Sequence, residues 1–195
     1  ISVQPEDLLS EQGLKPGDAS GGIEFVRNMC PSQGTMDIFV EPFLPKPSLL
    51  ICGASPVAVA LAELAARMGF AVGIAAPKAE HGKFPGAVRP IDGFALPDGD
   101  AAADYIVVAT QGSGDTAALT AALAIDARYV AFVGSRKKAA VLKARLAETG
   151  TAAERLATLR APAGLDLGAI TPDEIAFSIV AEMIETRRRG QRRAG

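Results

Sequence analysis

The chain has 195 residues, of which 49% are hydrophobic and 22% charged, so it is long enough to bury a core, and general disorder is excluded. Twenty basic and twenty-two acidic residues leave a net charge of −2, which excludes a strong overall attraction to nucleic acid or to an anionic membrane surface. Two cysteines are too few for a disulfide framework, and no apolar stretch reaches the roughly 20 residues of a membrane span. We therefore expect a cytoplasmic protein without a signal peptide, a membrane span or a nucleic-acid partner, and a homodimer as the default assembly.

The first 47 residues predict a small β-containing element. The segments 21–26 and 36–40 are short apolar runs, and the second alternates as a strand does. Prolines in the segment 42–47 predict an extended connector. We place the boundary there, so that residues 48–195 form a second domain.

From residue 48 onward, short apolar runs alternate with alanine-rich helical stretches. This pattern is typical of βαβ units and predicts an α/β fold with a Rossmann-like, doubly wound parallel sheet. The predicted strands are 48–52, 71–75, 105–110, 128–133 and a last short one at 157–161. The predicted helices are 57–68, 115–125, 138–148 and 172 to about 188, and the interval 76–103 is expected to be mostly loop.

The loop after the first of these strands occupies the place of a dinucleotide-binding fingerprint. Gly53 begins it and the next helix follows, so free N–H groups at the helix start favour an anion. Ser55 stands where a second glycine normally allows close approach of a pyrophosphate, and Pro56 follows it. The expected acidic residue after the second strand is replaced by the sequence Ala-Pro-Lys at 76–78. Ordinary NAD binding is therefore the weaker alternative, and a purely structural tight turn stays open.

A second loop follows the strand at 105–110 and is also rich in glycine and polar side chains. In a doubly wound sheet this strand lies beside the first one, so both loops line one crevice. The alternative is a turn that only caps the next helix. The candidate binding residues of this loop are Thr110, Gln111, Gly112, Gly114 and Asp115.

A third loop, at the start of the helix after the strand 128–133, carries a cluster of cations. Cations at a helix N-terminus oppose its dipole, so an anionic ligand such as a phosphate would relieve an electrostatic cost. The alternative is a solvated basic turn. The candidate residues are Gly134, Ser135, Arg136 and Lys137, with Lys138 behind them.

The remaining reactive side chains suggest no catalytic residue and no metal ligand set. His81 is the single histidine, with no evident partner in the sequence for nucleophilic catalysis. Cys52 is expected to be a core residue. Cys30 lies in a Gly/Pro-flanked loop, so its thiol is expected to be exposed; it is either a ligand-directed thiol or an inert one.

Four strings together resemble one family in the same order along the chain: FVEPFLPKPSLLICGAS, YIVVATQGSGD, GSRKKAAVLKARL and LRAPAGLDLGAITPDEIAFSIVAEMI. They are similar to the XdhC/CoxI accessory proteins, over roughly residues 20–186, and GLDLGAITPDEIA is the most specific of them. The first loop departs from the family pattern, which has Gly and His where Ser55 and Pro56 stand.

The resemblance implies a maturation protein for molybdenum hydroxylases such as xanthine dehydrogenase or carbon monoxide dehydrogenase. Such a protein binds molybdenum cofactor, as molybdopterin or its dinucleotide, while a cysteine desulfurase partner sulfurates it, and delivers it to the apo-hydroxylase. The expected roles are Gly53 and Ser55 as an anion loop, the second loop as the facing wall, the third as the phosphate site, and Cys30 near the metal-dithiolene end. The sequence thus favours a cofactor-binding accessory protein over an enzyme. An NAD(P)-dependent oxidoreductase and a ligand-free Rossmann interaction module, binding a partner through the arginine-rich segment 187–193, remain the alternatives.

Overall fold

The computed structural model describes residues 1–41, 45–84, 89–95 and 103–192. Within it the chain separates into two compact units, Ile1–Pro45 and Lys46–Gly195. Part of the predicted proline-rich connector, residues 42–44, lies outside the described residues. Each unit has its own sheet.

The first unit is a small four-stranded sheet with one short helix, in the strand order β2-β3-β1-β4. The predicted β-containing element is thus confirmed, although the run at 36–40 pairs over only two residues. Its elements are β1 (Ser2–Gln4), α1 (Glu6–Glu11), β2 (Ala19–Ser20), β3 (Ile23–Arg27) and β4 (Met36–Asp37).

The second unit alternates strands and helices. Its strands are β5 (Ser48–Cys52), β6 (Ala71–Ala76), β7 (Arg89–Asp92), β8 (Tyr105–Val108) and β9 (Tyr129–Phe132). Its helices are α2 (Pro56–Arg67), a 3-10 helix (Lys78–Lys83), α3 (Asp115–Ala124), α4 (Arg136–Glu148), α5 (Ala153–Thr158) and α6 (Pro172–Arg192).

The five strands of this unit form one parallel sheet in the order β7-β6-β5-β8-β9. Along the chain, β6 and β7 are thus added on one side of β5, and β8 and β9 are then added on its other side. This reversal is the topological switch point of a Rossmann-like fold, beside which such sheets bind ligands at the carboxyl ends of their strands. The predicted fold class is confirmed.

Helices cover both faces of the sheet because successive strand residues point to opposite sides. Leu49 and Ile51 of β5 join the core formed with α2 and α6. Leu50 and Cys52 join the opposite core, formed with α3 and α4. Cys52 is fully buried there, as predicted from the sequence.

Three sequence predictions need correction. The interval 76–103 is not mostly loop where it is described: it contains the 3-10 helix and the edge strand β7, while 85–88 and 96–102 lie outside the described residues. Of the predicted strand at 157–161, the first two residues belong to helix α5, and Arg160 alone forms a parallel bridge, to Ala131. Helix α4 also begins at Arg136, two residues before the predicted start.

In the described part of the chain, no helix is both long and apolar enough to cross a membrane.

Candidate functional site

The three predicted loops meet at one edge of the parallel sheet. Strands β5, β8 and β9 are consecutive neighbours, and each ends at this edge before its loop and helix. The N-termini of α2, α3 and α4 therefore open on the same side, where their unpaired N–H groups favour anionic groups. Eleven predicted site residues lie here: Gly53, Ser55, Thr110, Gln111, Gly112, Gly114, Asp115, Gly134, Ser135, Arg136 and Lys137.

The first loop is held tightly against the second. Gly53 has a φ of +113°, and a Cβ placed on it would lie 2.5 Å from the carbonyl oxygen of Ala109. The Gly53 N–H donates to Ala75 O at 2.8 Å. Gly53 is therefore required for the close packing of the two loops, whatever ligand the site holds.

Ser55 caps helix α2. Its hydroxyl oxygen accepts from the N–H of Ala58 at 3.2 Å, and Pro56 occupies the first helical position, where its missing N–H costs no hydrogen bond. Ser55 is almost completely buried. Hydrogen-bond donors for a ligand at the start of α2 are therefore mainly backbone N–H groups of the loop and not the Ser55 hydroxyl.

The second loop is wound into left-handed backbone conformations. Gln111 has a φ of +54°, Gly112 of +103° and Gly114 of +87°. A Cβ on Gly114 would lie 2.7 Å from the ring of Phe94, whereas one on Gly112 would meet nothing closer than Lys138 Nζ at 4.0 Å. The loop thus leaves open space at Gly112 and is closely packed at Gly114.

The Asp115 carboxylate holds this loop in place. Its Oδ1 accepts from the Thr110 hydroxyl and from the N–H of Gly112, the latter at 3.1 Å, and its Oδ2 lies 2.6 Å from Lys138 Nζ. Burial of the carboxyl opposes ionisation, but the bonds from Lys138, Thr110 and Gly112 outweigh it and lower the pKa of Asp115. The carboxylate and the Lys138 ammonium therefore neutralise one another, and Asp115 supports the loop.

Replacing Asp115 with Asn is expected to destabilise the protein at neutral pH by about 2 kcal/mol, because several hydrogen bonds are weakened and Lys138 loses its counter-charge. A carboxyl whose pKa is lowered on folding stabilises the protein at pH values above its ordinary pKa, here 3.8. This stabilisation is lost as the pH falls from there through the lowered pKa. The difference in the free energy of unfolding between wild type and Asp115→Asn, measured in urea, should therefore become smaller below pH 3.8. The matched control is Glu148→Gln, an exposed carboxylate on α4. An Asp115→Asn deficit that does not change with pH would contradict an ionised Asp115.

The third loop carries the predicted cation cluster. Ser135 caps α4 by accepting from the N–H of Lys138 at 3.2 Å. Arg136 forms an ion pair with Asp166 at 3.5 Å in which both side chains are more than 80% exposed. Lys137 is exposed on the same turn. Two of the three cations thus face carboxylates, and the cluster carries a smaller positive charge than its sequence implies.

A neighbouring segment completes the site, and sequence reasoning assigned no site residue to it. Because Arg160 pairs in parallel with Ala131 of β9, the residues after Arg160 emerge at the same edge of the sheet. Residues 162–169 line a cavity of about 430 Å³ together with Gly134, Arg136 and Ser178. The string APAGLDLGA could have indicated this segment, because its glycines and proline predict a loop of defined conformation between the last pairing residue and α6.

A buried carboxylate anchors this segment to the core. Glu182 of α6 accepts from the Tyr129 hydroxyl at 2.6 Å, from Gly164 N at 2.9 Å and from Arg160 Nη1 at 2.9 Å. Burial and the adjacent Glu182 carboxylate raise the pKa of Tyr129 strongly, so this phenol stays a donor. Gly164, at a φ of +91°, lies directly against Ser178. The cavity wall is therefore fastened to β9 and to α6 at once.

The two cysteines lie in contrasting surroundings. Cys30 belongs to the first unit and is exposed, as expected; the Ser32 hydroxyl donates to its sulfur at 3.1 Å, and this bond, with the backbone N–H of Ser32, lowers the pKa of the thiol. Burial raises the pKa of Cys52 to about 12. Cys30 is thus the more reactive thiol.

His81 has its Nε2 at 2.8 Å from the carbonyl oxygen of Ala76. Since a carbonyl only accepts, Nε2 carries the proton in this contact. Among the described residues, no group of three or more His, Cys, Asp or Glu side chains is placed to hold a metal ion.

These features define a Rossmann-type protein with an anion-favouring edge and a cavity beside it. A sequence profile of the XdhC Rossmann domain matches residues 49–183, and the chain belongs to the XdhC family. The predicted family is thus confirmed.

Two curated relatives match most of this chain. One is the protein YqeB of Escherichia coli, 30% identical over 95% of this chain and 36% of its own length. The other, from Bacillus subtilis, is described as a probable subunit of xanthine dehydrogenase and is 31% identical over 80% of this chain and 47% of its own length. The chain thus spans less than half the length of either relative.

A solved structure is similar in fold. It is the crystal structure of a protein described as a xanthine dehydrogenase from Bacillus halodurans, with a TM-score of 0.61 and 28% sequence identity. The match covers 74% of this chain and 44% of the solved one.

Proposed function

We propose that this chain binds molybdenum cofactor at the carboxyl edge of its parallel sheet and assists the sulfuration and insertion of the cofactor into a molybdenum hydroxylase. The observation that carries the proposal is the convergence at this edge of three helix N-termini and the 430 Å³ cavity beside Gly134. A single anion loop would suit many ligands. A phosphate-favouring edge beside a cavity of this size suits a ligand with both a phosphate and a ring system.

The residues fit the phosphate end of this cofactor. Ser135 caps α4, and Arg136 and Lys137 lie on its first turn. The exposed Arg136–Asp166 pair contributes little to stability. A phosphate can therefore replace Asp166 as the partner of the guanidinium at a small cost in free energy. Lys137 adds a second cation, and both cations would otherwise oppose the helix dipole.

The cavity fits the ring system. Gly134, Ala163 and Leu165 give it an apolar wall, and Ser178 lies among its lining residues. A flat heterocycle would be held there between loop backbone and α6. The cofactor itself supplies the molybdenum and the dithiolene sulfurs.

Cys30, in the first unit, is a separate proposal: its exposed thiol is available to the sulfur chemistry of the sulfuration step. It is exposed and its pKa is lowered, so it is more often a thiolate than an ordinary thiol is at the same pH. The proposed partners are an apo molybdenum hydroxylase and a cysteine desulfurase. The description of the Bacillus subtilis relative as part of a xanthine dehydrogenase supports the first of these.

The test is equilibrium binding of molybdenum cofactor to the purified chain under anaerobic conditions, with NAD(P) and CTP as competitors. Removing both phosphate-binding cations, in Arg136→Ala with Lys137→Ala, is expected to weaken binding about tenfold to a hundredfold. The matched control is Arg145→Ala, an exposed cation on the last turn of the same helix, which should leave binding unchanged. Cys30→Ser tests the proposed role of this thiol separately.

Two outcomes would overturn the proposal. Binding of NAD(P) in preference to the cofactor would indicate a dinucleotide-dependent oxidoreductase. Binding of neither ligand, with a stable complex to an apo-hydroxylase, would indicate an interaction module that has lost its ligand.

A further inference from the structure

A groove between α2 and the first turns of α6 lies outside the proposed cofactor site. It consists of two cavities, of about 560 and 540 Å³. Ala60, Glu63 and Asp173 line both cavities, so the two form one groove, which we call the α2–α6 groove. From Pro56 to Arg67 it follows α2 for roughly 17 Å, from the helical rise per residue.

The walls of the α2–α6 groove carry exposed apolar side chains. Phe177 of α6 and Leu167 of the segment before it are each 55% exposed. Val59 and Leu64 of α2 are half-buried against the core and leave the rest of their surface to the groove. A contiguous apolar surface with a polar rim is characteristic of an interaction site.

The part of the groove that the two cavities share is negatively charged. Glu63 lies in the middle of α2 and Asp173 on the first turn of α6, and both are exposed. Within the described ranges, neither carboxylate takes part in an ion pair or a side-chain hydrogen bond. Lys83 lines one cavity but is already paired with Glu80, and Arg67 lines the other from the last turn of α2. A partner that fills the groove is therefore complementary to it when it places a positive charge between apolar groups.

One wall of the groove is also a wall of the cavity beside Gly134. The residues Leu167, Gly168 and Ala169 line both the 560 Å³ cavity and the 430 Å³ cavity in which we place the ring system of the cofactor. A protein docked in the groove would thus lie against the segment that encloses the cofactor. This position suits the protein that receives the cofactor, because transfer requires the two binding surfaces to be adjacent.

We infer that the α2–α6 groove docks the apo molybdenum hydroxylase, through a surface segment with apolar side chains on both sides of a lysine or arginine. The choice of this partner rests on the proposed function. The cationic side chain lies between the carboxylates of Glu63 and Asp173, and the apolar side chains pack on Phe177 and Leu167. An amphipathic helix of about three turns matches the length of the groove.

The test is the affinity of the chain for each molybdenum hydroxylase of the host organism, purified without cofactor, by isothermal titration calorimetry at several salt concentrations. Glu63→Gln with Asp173→Asn removes both charges with little change of shape. It should weaken binding about tenfold and make binding less sensitive to salt. The matched control is Glu148→Gln with Glu154→Gln, two exposed carboxylates on α4 and α5, which should change neither property.

Phe177→Ser tests the apolar part of the groove. It should weaken binding at least about tenfold and leave the salt dependence unchanged, because it removes apolar contact and no charge. The matched control is Val141→Ser, since Val141 is 63% exposed on α4, outside the groove. Circular dichroism melting of each variant monitors folding.

Cofactor binding by the same variants separates this inference from the proposed function. Glu63, Asp173 and Phe177 are not among the residues that line the cavity beside Gly134, so each variant should bind molybdenum cofactor as the wild type does. A chain that binds the hydroxylase through the groove but does not bind the cofactor would contradict the proposed function alone.

Three results would overturn the inference. The first is a wild-type chain that binds the cofactor but none of the apo-hydroxylases. The second is a set of groove variants that bind the hydroxylase as tightly as the wild type does. The third is loss of cysteine desulfurase binding in the groove variants while hydroxylase binding is intact, which would assign the groove to the desulfurase.

Discussion

Replacing Gly53 with alanine is expected to destabilise the second unit by at least about 3 kcal/mol. The new Cβ would lie 2.5 Å from the carbonyl oxygen of Ala109 and 2.7 Å from the Cα of Thr110. Both are backbone atoms of the loop after β8, so relief of the overlap requires the two central strands to move apart. The measurement is urea unfolding followed by far-UV circular dichroism.

Gly112→Ala is the matched control, because it separates backbone conformation from overlap. Gly112 has a φ of +103°, close to that of Gly53, but a Cβ there meets nothing nearer than the flexible end of Lys138 at 4.0 Å. Its expected cost is about 1–2 kcal/mol, from the left-handed conformation alone. Equal losses for the two substitutions would show that the contact between the first and second loops is not what makes Gly53 necessary.

Glu182→Ala is expected to cost about 2–4 kcal/mol and to loosen the wall of the cavity beside Gly134. The substitution leaves the Tyr129 hydroxyl and the N–H of Gly164 without the acceptor that both use. Arg160 also loses its partner, but its side chain is 47% exposed and water can solvate it, so the cost stays below that of a fully buried broken pair. Urea unfolding measures the loss of stability.

Hydrogen exchange at Gly164 separates loosening of this segment from a general loss of stability, because faster exchange confined to residues near 164 indicates local opening. Glu185→Ala is the control: Glu185 lies on the same helix but in an exposed pair with Arg189, and its loss should cost less than about 0.5 kcal/mol. Tyr129→Phe with Glu182→Ala completes a double-mutant cycle. If Glu182→Ala behaved like Glu185→Ala, the buried carboxylate would not anchor the segment.

The central strands could be predicted from the sequence because their physical signal is local. Residues 48–52 and 105–108 are almost entirely apolar, as strands covered on both faces must be. The loops that follow them could be placed at one edge from the parallel arrangement alone. This is why eleven candidate residues lie together in the structure.

The edge of the sheet could not be predicted in this way. Strand β7 contains Pro90 and a single large apolar residue, Ile91. Within the described residues it pairs with β6 alone, so as an edge strand it tolerates a proline that a central strand would not. At 153–158 helix-favouring Ala, Glu, Arg and Leu outweigh the strand tendency, and pairing is limited to Arg160.

The electrostatics of the site also depend on contacts distant in sequence. Lys138 meets Asp115, and Arg136 meets Asp166, across intervals that no local pattern links. The sequence shows three adjacent cations, whereas the fold places carboxylates opposite two of them. The position of residues 162–169 beside Gly134 likewise follows from one bridge to β9.

The contrast between the two cysteines gives this chain a built-in reporter of its own unfolding. In the native protein a thiol reagent reaches Cys30, while Cys52 is enclosed in the central strand and is protected both by burial and by its raised pKa of about 12. Modification of Cys52 therefore requires the sheet to open. When Cys30 is already blocked, the rate at which a thiol reagent modifies Cys52 reports how often the core opens. The kinetics of this modification therefore give the free energy of opening without denaturant.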